Sequence, residues 1–64
     1  MNELVIWFGD QGHVYFATEK TTAKDAYWEF DEKCEMAGID MSNLPYSELV
    51  LRDTDGNDID KQEE

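Results

Sequence analysis

The sequence contains a single cysteine, a single proline and no long apolar run among its 64 residues. One cysteine excludes an intramolecular disulfide, and with it the disulfide-rich secreted domains, so we expect a reducing compartment. The apolar run from Leu4 to Phe8 is too short for the core of a signal peptide or for a membrane span. We therefore predict a cytoplasmic protein that is not inserted in a membrane.

Basic residues are also scarce. Five Lys and Arg stand against sixteen Asp and Glu, which gives a net charge of −11. Such a chain repels phosphate and anionic lipid, so we expect no direct binding to nucleic acid or to a membrane, and we predict basic protein partners. The same self-repulsion opposes folding, so added salt should stabilise the folded state.

Groups suited to catalysis are few. The chain has one histidine, His13, and one cysteine, Cys34, with no basic cluster to stabilise developing negative charge. Cys34 falls on the apolar side of a predicted helix, where a thiol serves as a small buried hydrophobe. We predict no enzymatic activity, no cofactor and, for His13, an ordinary strand position.

The composition is that of a folded protein rather than a disordered acidic chain. Hydrophobic residues make up 41% of the sequence, and they include two Trp, three Tyr and three Phe. A chain of this length has room for one small domain. We predict that residues 1–60 form that domain and that residues 61–64 are a frayed acidic tail.

The predicted elements follow the order ββαβ, or ββαββ if a fourth strand forms. The helix is predicted over Thr22 to Gly38, because Thr22 suits an N-cap and Gly38 suits the left-handed residue that ends a helix. Thr21 is the competing N-cap. Alternation and turn residues predict strands at Leu4 to Phe8, His13 to Thr18 and Tyr46 to Arg52, with a short edge strand at Asp58 to Asp60 left open. This order predicts an α+β fold, with one helix packed on one face of a three- or four-stranded mixed sheet and the first strand in its centre.

The predicted helix has two different sides. An apolar arc is expected to lie on the core and consists of Ala23, Ala26, Tyr27, Phe30, Cys34 and Ala37. The other side, the acidic helix face, consists of Asp25, Trp28, Glu29, Asp31, Glu32, Glu35 and Met36. Its carboxylates recur about every 3 to 4 Å along the helix axis, close to the phosphate spacing of roughly 3.4 Å on a DNA strand. This density predicts a surface that binds a cationic partner, with Trp28 and Met36 as apolar anchors.

The same pattern also suits a solubilising surface without a partner, because charged helix faces are commonly solvated. In that alternative, Trp28 folds down onto the loop from Ile39 to Leu44.

A second apolar surface is predicted on the sheet, because one helix covers only one of its two faces. The candidate residues for a dimer or for a second partner on the uncovered face are Val5, Trp7, Tyr15, Tyr46 and Val50. Exposed apolar patches of this kind mark association surfaces. A homodimeric or adaptor-type interaction module is therefore the alternative function.

The acidic segment after the third strand predicts a hairpin turn with solvated carboxylates. Its alternative is a loosely bound cation, for which Asp53, Asp55 and Asp58 are the candidate ligands. The spacing departs from a calcium-binding loop, since Gly56 lies at the fourth place and Asp58 at the sixth, where glycine makes the sharp turn.

In size, charge and aromatic content the chain resembles the acidic DNA-mimic and anti-defence proteins carried by phages and mobile elements. That resemblance implies a small inhibitor that presents carboxylates where phosphates would lie. We therefore predict a non-enzymatic protein that blocks a basic, nucleic-acid-binding surface of a host protein.

Overall fold

The structure, a computed structural model, describes residues 1–40 and 45–63. Its elements are β1 (Asn2–Trp7), a single 3-10 turn at Gly9–Gln11, β2 (His13–Thr18), α1 (Ala23–Met36), β3 (Glu48–Arg52) and β4 (Asp58–Glu63). The helix packs on one face of a four-stranded sheet. The α+β fold and the ββαββ order are therefore confirmed.

The sheet has the strand order β2-β1-β3-β4, and all three neighbouring pairs are antiparallel. The prediction of a mixed sheet was therefore wrong, whereas the central position of β1 was right. The strand–helix–strand crossover does leave β2 and β3 parallel to each other. Because β1 lies between them and runs opposite to both, this parallel relation produces no parallel hydrogen-bonded pair.

Local side-chain chemistry sets both ends of α1. The Thr22 hydroxyl accepts a hydrogen bond from the Asp25 amide at 3.2 Å, as the N-cap prediction requires. At the other end Gly38 has φ of 81°, and the Ile39 amide donates to the Cys34 carbonyl at 2.8 Å, which is the Schellman arrangement. No helix within residues 1–40 and 45–63 has the length and apolarity needed to cross a bilayer.

The core lies between α1 and the facing side of the sheet. Its buried residues are Leu4, Ile6, Ala23, Ala26, Leu49 and Leu51, with Phe8, Val14, Phe16, Tyr27, Phe30 and Tyr46 packed around them. Cys34 is a buried free thiol, as expected. Ala37 was expected in the apolar arc but is exposed, because the helix ends one residue earlier and its chain turns away at Gly38.

Tyr46 lies on the helix side of the sheet, not on the uncovered side where it was predicted. Its ring packs at a tilt of 56° against that of Tyr27, with centroids 4.7 Å apart. Alternation assigned Tyr46 to the same side as Glu48 and Val50, but β3 begins only at Glu48, so the period of two does not extend to it.

The C-terminal segment is a full strand. Lys61, Gln62 and Glu63 continue β4, and Glu63 pairs with Glu48 of β3, so the predicted frayed tail was wrong for these three residues. Glu64 lies outside the described residues. Two ion pairs join β4 to β3. Lys61 Nζ lies 3.6 Å from the Glu48 carboxylate, and Arg52 Nε lies 3.3 Å from the Asp58 carboxylate.

Candidate functional site

The acidic helix face is formed as one side of α1. Of its seven residues, Asp25, Trp28, Asp31, Glu32, Glu35 and Met36 are exposed and Glu29 is half-buried. Trp28 is 66% exposed and Met36 is 82% exposed, so two large apolar side chains stand in solvent beside the carboxylates. The alternative, in which Trp28 folds onto the loop from Ile39 to Leu44, falls largely on residues 41–44, which lie outside the described residues.

A shallow, open groove of about 460 Å³ runs along this face. It is lined by Lys20, Asp25, Trp28, Glu29, Asp31, Glu32 and Glu35. Every predicted residue of the acidic helix face except Met36 is brought to this groove. The indole of Trp28 thus lies among carboxylates rather than at the edge of an apolar patch.

The carboxylates form a band rather than a single file. Two residue steps turn a helix through roughly 200°, so Glu29 and Asp31 lie on opposite flanks of the face, with Asp25 and Glu32 between them. A partner that covers the groove therefore meets negative charge on both sides of Trp28. Such a band matches a convex cationic surface better than a thin cationic strand.

Glu29 has a structural contact as well as a place in the groove. Its Oε1 accepts a hydrogen bond of 2.7 Å from the hydroxyl of Thr18, which is 2% exposed at the end of β2. The bond fixes the helix to the sheet and satisfies the buried hydroxyl. Glu29 is consequently less free than its neighbours to turn toward a partner.

Lys20 lines the candidate site, although the sequence analysis did not predict it there. It lies in the connection between β2 and α1 and lines the same groove as the carboxylates. The predicted N-cap at Thr22 could have indicated this position, because the residues just before an N-cap lie beside the first turn of the helix. Lys20 partly offsets the negative charge at one end of the groove.

Two acids of this face, Asp31 and Glu35, are placed where they oppose helix formation. Asp31 and Glu35 are four residues apart, a spacing at which like charges destabilise a helix. Glu35 also lies in the last turn, where the helix dipole favours a cation, and Lys33 is the basic residue of that turn. Folding alone does not account for an acid at position 35.

The open sheet face is the side of the sheet opposite α1. It presents Val5, Trp7, His13, Tyr15, Ala17 and Val50. The His13 ring lies 4.5 Å from Trp7 and 4.8 Å from Tyr15, so three aromatic rings form one contact series, in which Tyr15 is 55% exposed.

This face offers less accessible apolar surface than the sequence predicted. Val5 is fully buried and Val50 is 5% exposed, although both lie on the open side. They occupy the middle of one row across the sheet, between Tyr15 and Lys61. The remaining accessible apolar surface is concentrated at the β1–β2 side.

In the acidic turn between β3 and β4, the Asp53 and Asp58 carboxylates bind other groups of the same segment. Asp53 Oδ1 accepts from the amides of Asp55 and Asn57, both at 2.9 Å, and Asp58 pairs with Arg52. The hydrogen bond from the Asn57 amide holds the pKa of the Asp53 carboxyl below its usual value. Within residues 1–40 and 45–63 no three His, Cys, Asp or Glu residues form a group suited to a metal ion.

The two residues with catalytic potential lie apart. His13 is on the open sheet face, whereas Cys34 is buried on the helix side of the sheet. A nucleophile and its base must lie within hydrogen-bond reach of each other. These two residues do not form such a pair.

Comparison with protein-family models, with curated proteins and with solved structures finds no match to this chain.

Proposed function

We propose that this protein is a non-enzymatic inhibitor that binds a basic surface of a nucleic-acid-binding protein through its acidic helix face. The exposure of Trp28 at the centre of a carboxylate-lined groove is the observation that carries this proposal. A solubilising surface needs charge but gains nothing from an exposed indole. Aromatic residues surrounded by polar groups are typical of the energetic centre of a protein interface.

The partner is cationic because of the sign and the placement of the charge. At a net charge of −11 the protein repels nucleic acid and anionic membranes. A protein surface that normally binds phosphates carries the complementary charge and spacing. The likeness in size, charge and aromatic content to phage and mobile-element inhibitors supports the same function, and the buried free thiol of Cys34 fits a cytoplasmic location.

The proposal is tested by capture from a cell lysate at low salt, followed by elution with a salt gradient. The test variant is Glu32→Lys with Glu35→Lys. The matched control is Asp10→Lys with Asp55→Lys, which makes the same change in net charge at two exposed turn positions. We expect wild type and control to retain the same nucleic-acid-binding protein, and the test variant to lose it.

The size of the effect follows from charge reversal. If each reversal costs about 1.4 kcal/mol at low salt, the double variant binds roughly a hundredfold more weakly. Equal retention by the test and control variants would remove the acidic helix face from the interface.

Trp28→Ala separates the apolar anchor from the charges. Loss of the indole should weaken the complex at every salt concentration while leaving the slope of affinity against salt unchanged. A change in slope without a change in affinity at high salt would show that Trp28 is not an anchor.

A second candidate function is an interaction module, homodimeric or adaptor-type, that uses the open sheet face. The contact series of Trp7, His13 and Tyr15 favours it. Trp7→Ser should then weaken association without affecting capture through the helix, as measured by sedimentation. The burial of Val5 and Val50 ranks this function second.

A further inference from the structure

The two edges of the sheet differ in how they are protected from pairing with another strand. The β4 edge carries charged side chains at Asp58, Asp60, Lys61 and Glu63, and the β3–β4 register shifts beside Leu51 and Arg52. Charges and bulges are the usual means of blocking an edge. The β2 edge has neither, because its sequence HVYFAT contains no Asp, Glu, Lys, Arg or Pro and its register with β1 is unbroken.

The backbone of β2 offers hydrogen-bonding groups on its outer side. Phe8 donates its amide to the Gly12 carbonyl, and the Trp7 carbonyl points toward β3, where it accepts from the Ser47 amide at 2.8 Å. Antiparallel pairs alternate between bonded and non-bonded, so Trp7 and His13 form a non-bonded pair. The same alternation directs the amide and carbonyl groups of His13, Tyr15 and Ala17 away from β1.

We propose that the free edge of β2 pairs with β2 of a second copy of this chain, in antiparallel orientation, about a two-fold axis at Tyr15. In this register Tyr15 lies opposite Tyr15 of the second copy, and His13 lies opposite Ala17. The outward-facing backbone groups of these residues then form up to roughly six hydrogen bonds between the copies. Among the described residues no strand occupies this edge.

Charge selects this edge for self-association. Two chains of net charge −11 repel each other, and contact is least unfavourable where neither copy carries an ionised side chain. The six residues of β2 include no Asp, Glu, Lys or Arg. Pairing also joins the two open sheet faces, which places the exposed Tyr15 rings of both copies side by side and directs both acidic helix faces to the same side of a continuous sheet.

The most direct test is amide hydrogen exchange at increasing protein concentration, in salt that screens the net charge. We expect the amides of His13, Tyr15 and Ala17 to become protected as the concentration rises, whereas those of Val14 and Phe16 are protected throughout. Concentration-dependent protection at every second amide of β2 is specific to pairing at the edge. Uniform protection along β2 at all concentrations, or a monomer in sedimentation equilibrium up to about 1 mM, would overturn the proposal.

Ala17→Pro tests the edge without breaking the bonds to β1, because the amide it removes points outward. We expect the Ala17→Pro dimer to be weaker by about tenfold or more. Each copy loses one backbone hydrogen-bond donor and places a proline ring between the two paired strands. Trp7→Ser is the matched control on the open sheet face and should leave the dimer in place. The opposite result, with dimer lost in Trp7→Ser and kept in Ala17→Pro, would assign association to the face and refute edge pairing.

A charge-pair test covers the case in which Ala17→Pro does not fold. Residues 13 and 17 of one strand are roughly 13 Å apart, but the proposed register makes them neighbours across the two-fold axis. His13→Lys with Ala17→Glu should therefore keep the dimer, and His13→Glu with Ala17→Glu should dissociate it. Equal behaviour of the two variants would contradict the register.

This proposal is independent of the inhibitor function, because it concerns β2 and not α1. The two also respond oppositely to salt, which weakens capture by the acidic helix face and strengthens pairing of like-charged chains. Failure of one is thus distinguishable from failure of the other.

Discussion

Replacing Glu35 by lysine should stabilise the fold while it weakens partner binding by about tenfold. Glu35 is exposed in the last turn of α1 and lies four residues after Asp31. The substitution turns a like-charge pair into an acid-to-lysine pair in the favourable orientation. It also places a cation where the helix dipole is negative.

The expected gain can be worked from these two effects. Removing the repulsion and adding the attraction contribute about 0.2 to 0.5 kcal/mol each. Reversing the charge at the helix end adds at least about 0.3 kcal/mol at low salt. The free energy of unfolding should therefore rise by about 1 kcal/mol, which corresponds to an increase in Tm of roughly 4 to 8 °C for a domain of this size.

Thermal unfolding followed by circular dichroism measures this change, with Asp10→Lys as the control. Asp10 is exposed in the 3-10 turn, so its replacement alters the net charge equally but leaves α1 untouched. The variant at position 35 should exceed the control in Tm. If it does not, the acid at position 35 costs the fold nothing, and its place in the last turn then needs no explanation by binding.

Three further predictions concern stability. Asp60→Ala should lower the free energy of unfolding by about 1 kcal/mol, because the half-buried Asp60 carboxylate accepts a hydrogen bond of 2.6 Å from the first amide of α1. Asp60→Asn should retain most of the stability. Equal melting temperatures for Asp60→Ala and wild type would contradict a stabilising role of this bond. The Asn57 amide lowers the pKa of Asp53, so the stability that Asp53 contributes is complete above its ordinary pKa of 3.8 and is lost as the pH falls through its folded pKa. Asp53→Asn should reduce this pH dependence in acid unfolding curves. The hydrogen bond to Glu63 is the main cause that raises the pKa of Lys61. The stability that Lys61 contributes is therefore present below pH 10.5 and is lost as the pH rises through its folded pKa. Lys61→Gln should reduce the pH dependence of stability in alkaline unfolding curves.

The parts of the fold that depend on local chemistry were predictable from the sequence. Thr22 and Gly38 marked the ends of α1 because capping is decided within a few residues. The bounds of β2 followed from its turn residues and β-prone composition, and the acidic helix face followed from helical periodicity. Residues close in sequence determine these features, so distant parts of the chain do not have to be known.

The parts that depend on distant contacts were not predictable. The extension of β4 through Glu63 rests on pairing with β3 and on the ion pair of Lys61 with Glu48, and its polar sequence gives no periodic signal. Tyr46 contacts Tyr27 of α1, a residue 19 positions earlier in the chain. The bond between Thr18 and Glu29 likewise joins two elements that the sequence analysis treated separately.

The central claim is that the acidic helix face occupies a site that otherwise binds nucleic acid. The measurement that tests it most directly is competition, in which labelled duplex DNA bound to the captured partner is titrated with this protein. We predict that wild type and the control Asp10→Lys with Asp55→Lys release the DNA, and that Glu32→Lys with Glu35→Lys does not. Simultaneous binding of DNA and wild-type protein to the partner, or equal release by both double variants, would contradict the account.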